Sequence, residues 1–228
     1  MVVTLIALIS SLAIPKLRAG RVSANETTAL ATLRALASAQ AQVLASVAID
    51  TDSDGVGEAG YLAELAGARP LRVAGAGAPA AGAAGLDELQ PTVLSALYGQ
   101  VAGGVLVKSG YVFQVWLAGP TAGGLVAGLA EDPAGGKLGG PFPDPDNSEQ
   151  HWCAYAWPLQ AGSTGRNVYF ISSRGQPLGY GNRGATTYSG PAGGPGFDAA
   201  FTIAGDMSSA PAGNGALGAD GNAWITAQ

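Results

Sequence analysis

The residues best suited to chemistry in this chain are carboxylates. Asp50-Thr51-Asp52-Ser53-Asp54-Gly55-Val56-Gly57-Glu58 sets aspartates at alternate positions ahead of a glycine. That is the first half of a calcium loop, where oxygens at positions one, three and five converge and the glycine makes the sharp turn. Asp50, Asp52 and Asp54 would supply those oxygens, the carbonyl of Val56 position seven, and Glu58 position nine. Position twelve falls on Tyr61, which has no carboxylate, although Glu64 could approach from the next turn. Clustered carboxylates repel one another without a counter-ion. The stretch therefore reads either as a calcium loop or as a solvated acidic turn.

Catalysis has little to work with. The sole histidine, His151, stands two residues before the sole cysteine, Cys153, and a strand would put both on one face. Nucleophile and base usually come from separate segments, however. Without a Gly-x-Ser-x-Gly turn, a phosphate loop or zinc-ligand spacing, the chain does not read as an enzyme. His151 reads as a loop residue and Cys153 as a small buried hydrophobe. One cysteine excludes an intrachain disulfide. The 11 Lys and Arg against 16 Asp and Glu give a net charge of −5, which offers no reason to expect nucleic acid or anionic lipid as a partner.

The segment that must carry the rest is the first one, residues 1–49. From Val2 to Ile14 there is no charge, and Pro15 is followed at once by Lys16, Arg18 and Arg21. An uncharged run with a basic flank belongs in a bilayer or in a core that excludes water equally well. At about 1.5 Å per residue it covers only some two-thirds of a hydrocarbon core. From Lys16 to Ile49 the chain has no further proline and is rich in Ala, Leu, Arg and Gln, the composition of one long helix. Val22, Ala29, Leu30, Leu33, Leu36, Ala37, Val43, Leu44 and Val47 recur near helical spacing. An apolar helix over 1–15 thus continues into an amphipathic one over 16–49, with an interruption expected near the start because Pro15 removes a hydrogen bond.

Leu12-Ala13-Ile14-Pro15-Lys16-Leu17-Arg18-Ala19, then Arg21-Val22-Ser23-Ala24-Asn25-Glu26 and Ala31-Thr32-Leu33-Arg34-Ala35-Leu36-Ala37-Ser38-Ala39-Gln40, resembles the N-terminal helix of type IV pilins over roughly the first 50 residues. The resemblance implies a membrane protein of the bacterial inner membrane that assembles, with the pilus assembly machinery, into a helical homopolymer of identical subunits. The product is an extracellular filament, a fimbrium on the cell surface. Val2, Leu5, Ile6, Leu8, Ile9, Leu12, Ile14 and Pro15 would be the assembly residues, with local unwinding between Ala7 and Pro15 in the assembled filament. Family members begin with phenylalanine and carry a glutamate a few positions on, a stretch that would lie upstream of Met1. Leader cleavage, N-methylation and charge pairing between subunits rest on that upstream stretch. Asn25-Glu26-Thr27 is a formal glycosylation sequon, discounted because it lies on the helix that a filament would bury.

The remainder reads as α+β. Residues 50–180 form a globular head, and the long helix packs on an antiparallel sheet of about four strands with one apolar face, as in pilins. Tyr61–Ala66 is a short helical turn, Gly67–Gly85 an exposed low-complexity loop, and Pro91–Leu97 part of a short helix. Val105–Lys108 and Tyr111–Leu117 form a hairpin across Ser109-Gly110. After a Gly- and Pro-rich excursion over 118–150 come the strand Trp152–Pro158 and a second hairpin, Asn167–Ser172 with Gln176–Tyr180. Residues 181–228 are a Gly-rich extension whose anchors Tyr188, Phe197, Phe201, Ile203 and Trp224 would wrap the subunit or reach a neighbour. With charged residues at 12% and 36 glycines, such a surface suits cover by copies of itself. The expected role is a structural subunit of a pilus-like filament, with adhesion, motility or DNA uptake downstream. The major pseudopilin of a type II secretion system and a monomeric membrane-anchored binding domain are the alternatives.

Overall fold

The computed structural model describes residues 2–184 and 186–227, with side chains inside α1 described from Lys16 onward. The side chains of Val2, Leu5, Ile6, Leu8, Ile9, Leu12, Ile14 and Pro15 lie outside the described residues. The protein is α+β: one long helix, then a largely antiparallel β head.

Helix α1 spans Val2–Ser46, 45 residues, or roughly 68 Å at the helical rise. It is continuous through Pro15, which corrects the interruption expected near its start. A proline forfeits one backbone bond, and an Ala- and Leu-rich sequence on both sides keeps the remaining ladder in place. Val22, Ala29, Leu30, Leu33, Leu36, Ala39 and Val43 are buried, and from Ala29 onward they share one core with the sheet. Leu44 is half-buried and Val47 is exposed, because the helix ends before Val47, whose φ is +51°. Gln40, buried on the same face, donates to Gly60 O at 2.7 Å and accepts from Gly60 N at 2.9 Å. This pins α2 (Leu62–Leu65) beneath α1. Among the described residues no helix is long and apolar enough to cross a membrane.

A small hairpin of β1 (Arg72–Ala74) and β2 (Pro79–Ala81) follows, where a structureless loop was expected. The helix expected over Pro91–Leu97 is also absent. The N–H groups of Val93 and Leu94 both go to Leu65 O, at the end of α2, and only Ala96–Gly99 forms a 3-10 turn.

The main sheet has eight strands rather than four: β3 (Val101–Ala102), β4 (Val105–Lys108), β5 (Tyr111–Ala122), β6 (Leu125–Ala130), β7 (Trp152–Pro158), β8 (Val168–Ser172), β9 (Leu178–Tyr180) and β10 (Ile225–Thr226). All pairings are antiparallel, in the order β10-β9-β8-β7-β5-β4-β3. Both expected hairpins form; at the first, Ser109 and Gly110 take φ +49° and +75°, the left-handed pair that a two-residue hairpin turn requires. The twelve residues of β5 pair β4 along the first part of one edge and β6 further along it, while β7 covers the other edge. The excursion after Ala118 therefore contains a hairpin whose turn, Gly123-Gly124, carries a recognised signal.

Both faces of the sheet are apolar, which corrects the single apolar face read from the sequence. Tyr111, Phe113, Val115 and Leu117 of β5, with Trp152, Ala154 and Ala156 of β7, face α1. Val112, Cys153, Tyr155, Trp157 and Phe170 form a second core with Tyr188, Phe201, Met207, Ala212 and Trp224 of the C-terminal segment. Phe170 meets Phe201 edge-on at 5.3 Å, and Tyr180 lies 5.7 Å from Trp224. The extension wraps its own subunit, and three of its five expected anchors, Tyr188, Phe201 and Trp224, are buried. Close approach demands small residues: a Cβ on Gly128 would stand 2.5 Å from Phe197.

Candidate functional site

The acidic loop begins where α1 stops. Val47 N and Ala48 N return to Leu44 O and Val43 O. The first aspartate then folds the loop. Asp50 accepts from Ser53 N at 2.7 Å through Oδ1 and from Gly55 N at 3.1 Å through Oδ2. Asp52 accepts from Asp54 N at 3.3 Å, and Asp54 from Val56 N at 2.8 Å. These are the local bonds that aspartates make in turns.

Helix α3 (Pro145–Gln150) lies beside this loop, started by Asp144, whose side chain accepts from Asn147 N at 3.1 Å, and by Pro145 in the first turn. Ala59 N donates to Ser148 O at 3.1 Å, joining loop to helix. Asp146 and Glu149, one turn apart on one face of α3, thereby meet Asp52 and Asp54. One carboxylate oxygen from each of the four lies within 4.8 Å of the others. The three aspartates are exposed and Glu149 is half-buried; Glu149 Oε1 is itself buried without a hydrogen-bond partner. Burial, then the charges of Asp54, Asp146 and Asp52, raise the Glu149 carboxyl above its ordinary value. Local desolvation and its neighbours Asp54 and Asp50 do the same for Asp52.

Of the five expected ligands, then, only Asp52 and Asp54 converge, and they do so with two residues from a helix about 90 positions further on. Asp50 is occupied by loop amides. Val56, expected to offer its carbonyl, is exposed, and its N–H serves Asp54. Glu58 turns inward: its Oε1 accepts from Thr51 N at 2.6 Å and its Oε2 from Ser148 Oγ at 3.1 Å. Three exposed carboxylates and one half-buried one suit a hard cation such as calcium, which takes six to eight oxygens and accepts waters among them.

Behind the loop lies a buried charge cluster. Arg72, with no exposed side-chain surface, donates to Glu58 Oε2 at 2.9 Å and Glu64 Oε1 at 3.3 Å. It also bonds Ala59 O and lies 5.7 Å from the centre of the Tyr61 ring. Glu64 also accepts from Tyr61 N at 2.8 Å. Its carboxyl remains above the ordinary value because burial outweighs Arg72. Glu131 accepts from Ala63 N at 2.9 Å and Gly136 N at 2.8 Å through Oε1, while Oε2 has no partner. Burial raises its carboxyl to about 8. The sequence signal, Arg72 between Leu71 and Val73 inside an Ala- and Gly-rich stretch, is easily passed over.

His151 and Cys153 do not form a pair. His151 ends α3, with burial and Arg174 lowering its imidazole. The Cys153 thiol is buried on the far face of the sheet toward Phe197 O at 3.5 Å, and burial raises it well above the ordinary thiol range. Asn25 of the sequon is engaged within the subunit, donating to Thr164 O at 2.8 Å.

At the other end of α1, residues 16–21 leave the head with every side chain exposed; Leu17 is 66% exposed. No family model, curated protein or solved structure matches the chain.

Proposed function

We propose that this chain is the structural subunit of an extracellular type IV pilus-like filament, held in the inner membrane before assembly and polymerised through the front of α1. One observation carries the reading. The amphipathic half of α1 is spent on its own sheet, whereas the helix continues beyond Val22 into an exposed segment and an uncharged sequence that needs partners other than water. Identical helices from other copies would meet that need, and a head-to-tail repeat of one contact gives an open helical polymer. The sparse charge and the self-wrapped head suit a subunit whose surface is largely covered by its own kind. Adhesion, motility or DNA uptake would follow from the filament.

A second reading, the major pseudopilin of a type II secretion system, gains weight from the four carboxylates beside the sheet. We take these, Asp52, Asp54, Asp146 and Glu149, as a calcium site in place of the one drawn from the loop alone. Negative-stain imaging of material sheared from cells tests the main proposal. Long fibres that contain this chain are the expected result; their absence, with the chain recovered only as a membrane-bound monomer, would favour a tethered binding domain.

A further inference from the structure

The overall charge of −5 conceals a segregated surface. Lys16, Arg18 and Arg21 are all exposed on the stretch of α1 that leaves the head. Two bonds fix the loop before β8 against the helix just above them: Asn25 Nδ2 to Thr164 O and Arg166 N to Glu26 Oε1, both at 2.8 Å. Arg166 then lines an open groove of about 400 Å³ with Ala161, Gly162, Asn182 and Arg183, and both arginines are exposed. Five cations therefore collar the point where α1 emerges, those on the helix spread over only about 15 Å below Glu26.

Few anions oppose them. Glu26 accepts the Arg166 amide, and Asp220 is held by Tyr188 Oη at 2.7 Å and Asn222 Nδ2 at 2.8 Å. Among the described residues, none of the five cations belongs to an ion pair. The acidic loop begins at Asp50, roughly 35 Å further along the helix direction.

We propose that this collar docks on an anionic lipid surface, holding the head upright on phosphate headgroups until assembly. The inference rests on the membrane stage of the proposed function. It fits the lengths: an apolar run of some 14 residues reaches about 21 Å into the bilayer, leaving Lys16 to Arg21 at headgroup depth. Arg166, held beside Glu26 by its amide, and Arg183 across the same groove would add cations from the head. Phosphate headgroups present anions over a whole plane, which matches five cations gathered at one end of the head.

The test is binding of the full chain to phosphatidylcholine vesicles with and without phosphatidylglycerol, at low and high salt. Tighter binding to the anionic vesicles is expected, falling as salt shortens the screening length. The exposed double variant Arg166→Gln/Arg183→Gln should lose about five-fold of that preference per arginine and bind neutral vesicles as before. Equal binding to both vesicle types, or a preference that the double variant keeps, overturns the collar. So does a salt-sensitive self-association in solution that the double variant abolishes, which would assign the arginines to another copy. Loss of binding to neutral vesicles alone, with the anionic preference intact, would sink the membrane-inserted reading and leave the collar standing.

Discussion

Arg72 and Glu58 meet at 2.9 Å with 0% and 1% of their side chains exposed. Glu64 completes the cluster from α2, so one guanidinium ties the acidic loop, α2 and the β1 hairpin together. Replacing Arg72 by Leu leaves two carboxylates buried without a cation and should cost about 3–5 kcal/mol, read from urea unfolding at neutral pH. The loss should shrink in mild acid as Glu64, whose carboxyl burial already raises, takes up a proton. A loss independent of pH would mean that packing, not charge, is what Arg72 supplies.

Glu131 sets a different pH dependence. Its folded carboxyl lies at about 8, against an ordinary 4.5, so the folded state binds the proton more tightly than the unfolded one. The stabilisation is fully present below 4.5 and is lost as pH rises to 8, by up to about 1.4 kcal/mol per pH unit. Glu131→Gln keeps the shape of the protonated side chain. It should flatten the decline between pH 5 and 8 and raise stability at the upper end; an unchanged profile would place the proton elsewhere.

For the four-carboxylate cluster, calcium in hundred-fold excess over its dissociation constant should stabilise the head by about 2.7 kcal/mol, a rise of roughly 5–10 °C in a domain of this size. Asp52→Asn/Asp54→Asn and Asp146→Asn/Glu149→Gln should both abolish the rise while melting normally in chelator. If only the first pair matters, the loop binds alone and α3 is a bystander. No rise in the unaltered chain leaves a solvated acidic turn.

Trp224, fully buried with Tyr155, Phe170 and Tyr180, tests the C-terminal wrap. Trp224→Ala should cost about 3–5 kcal/mol and expose the segment to protease before the rest of the head. A variant as stable as the parent would mean that this segment is not part of the core.

The sequence by itself determined the long helix, its buried stripe from Val22 to Val43, the Ser109-Gly110 hairpin and the strands β4, β5, β7, β8 and β9. These are written in short-range periodicity and turn chemistry, which act between residues close along the chain. Only the tertiary structure decided where charged and aromatic side chains go. Glu58 and Asp52 look alike in a list of carboxylates, yet one is buried against Arg72 and Ser148 while the other stays exposed beside Asp146 and Glu149. Trp224 likewise reads as an isolated anchor until the sheet presents a second apolar face. Contacts between distant segments depend on which surfaces the fold leaves uncovered, and no local pattern encodes that.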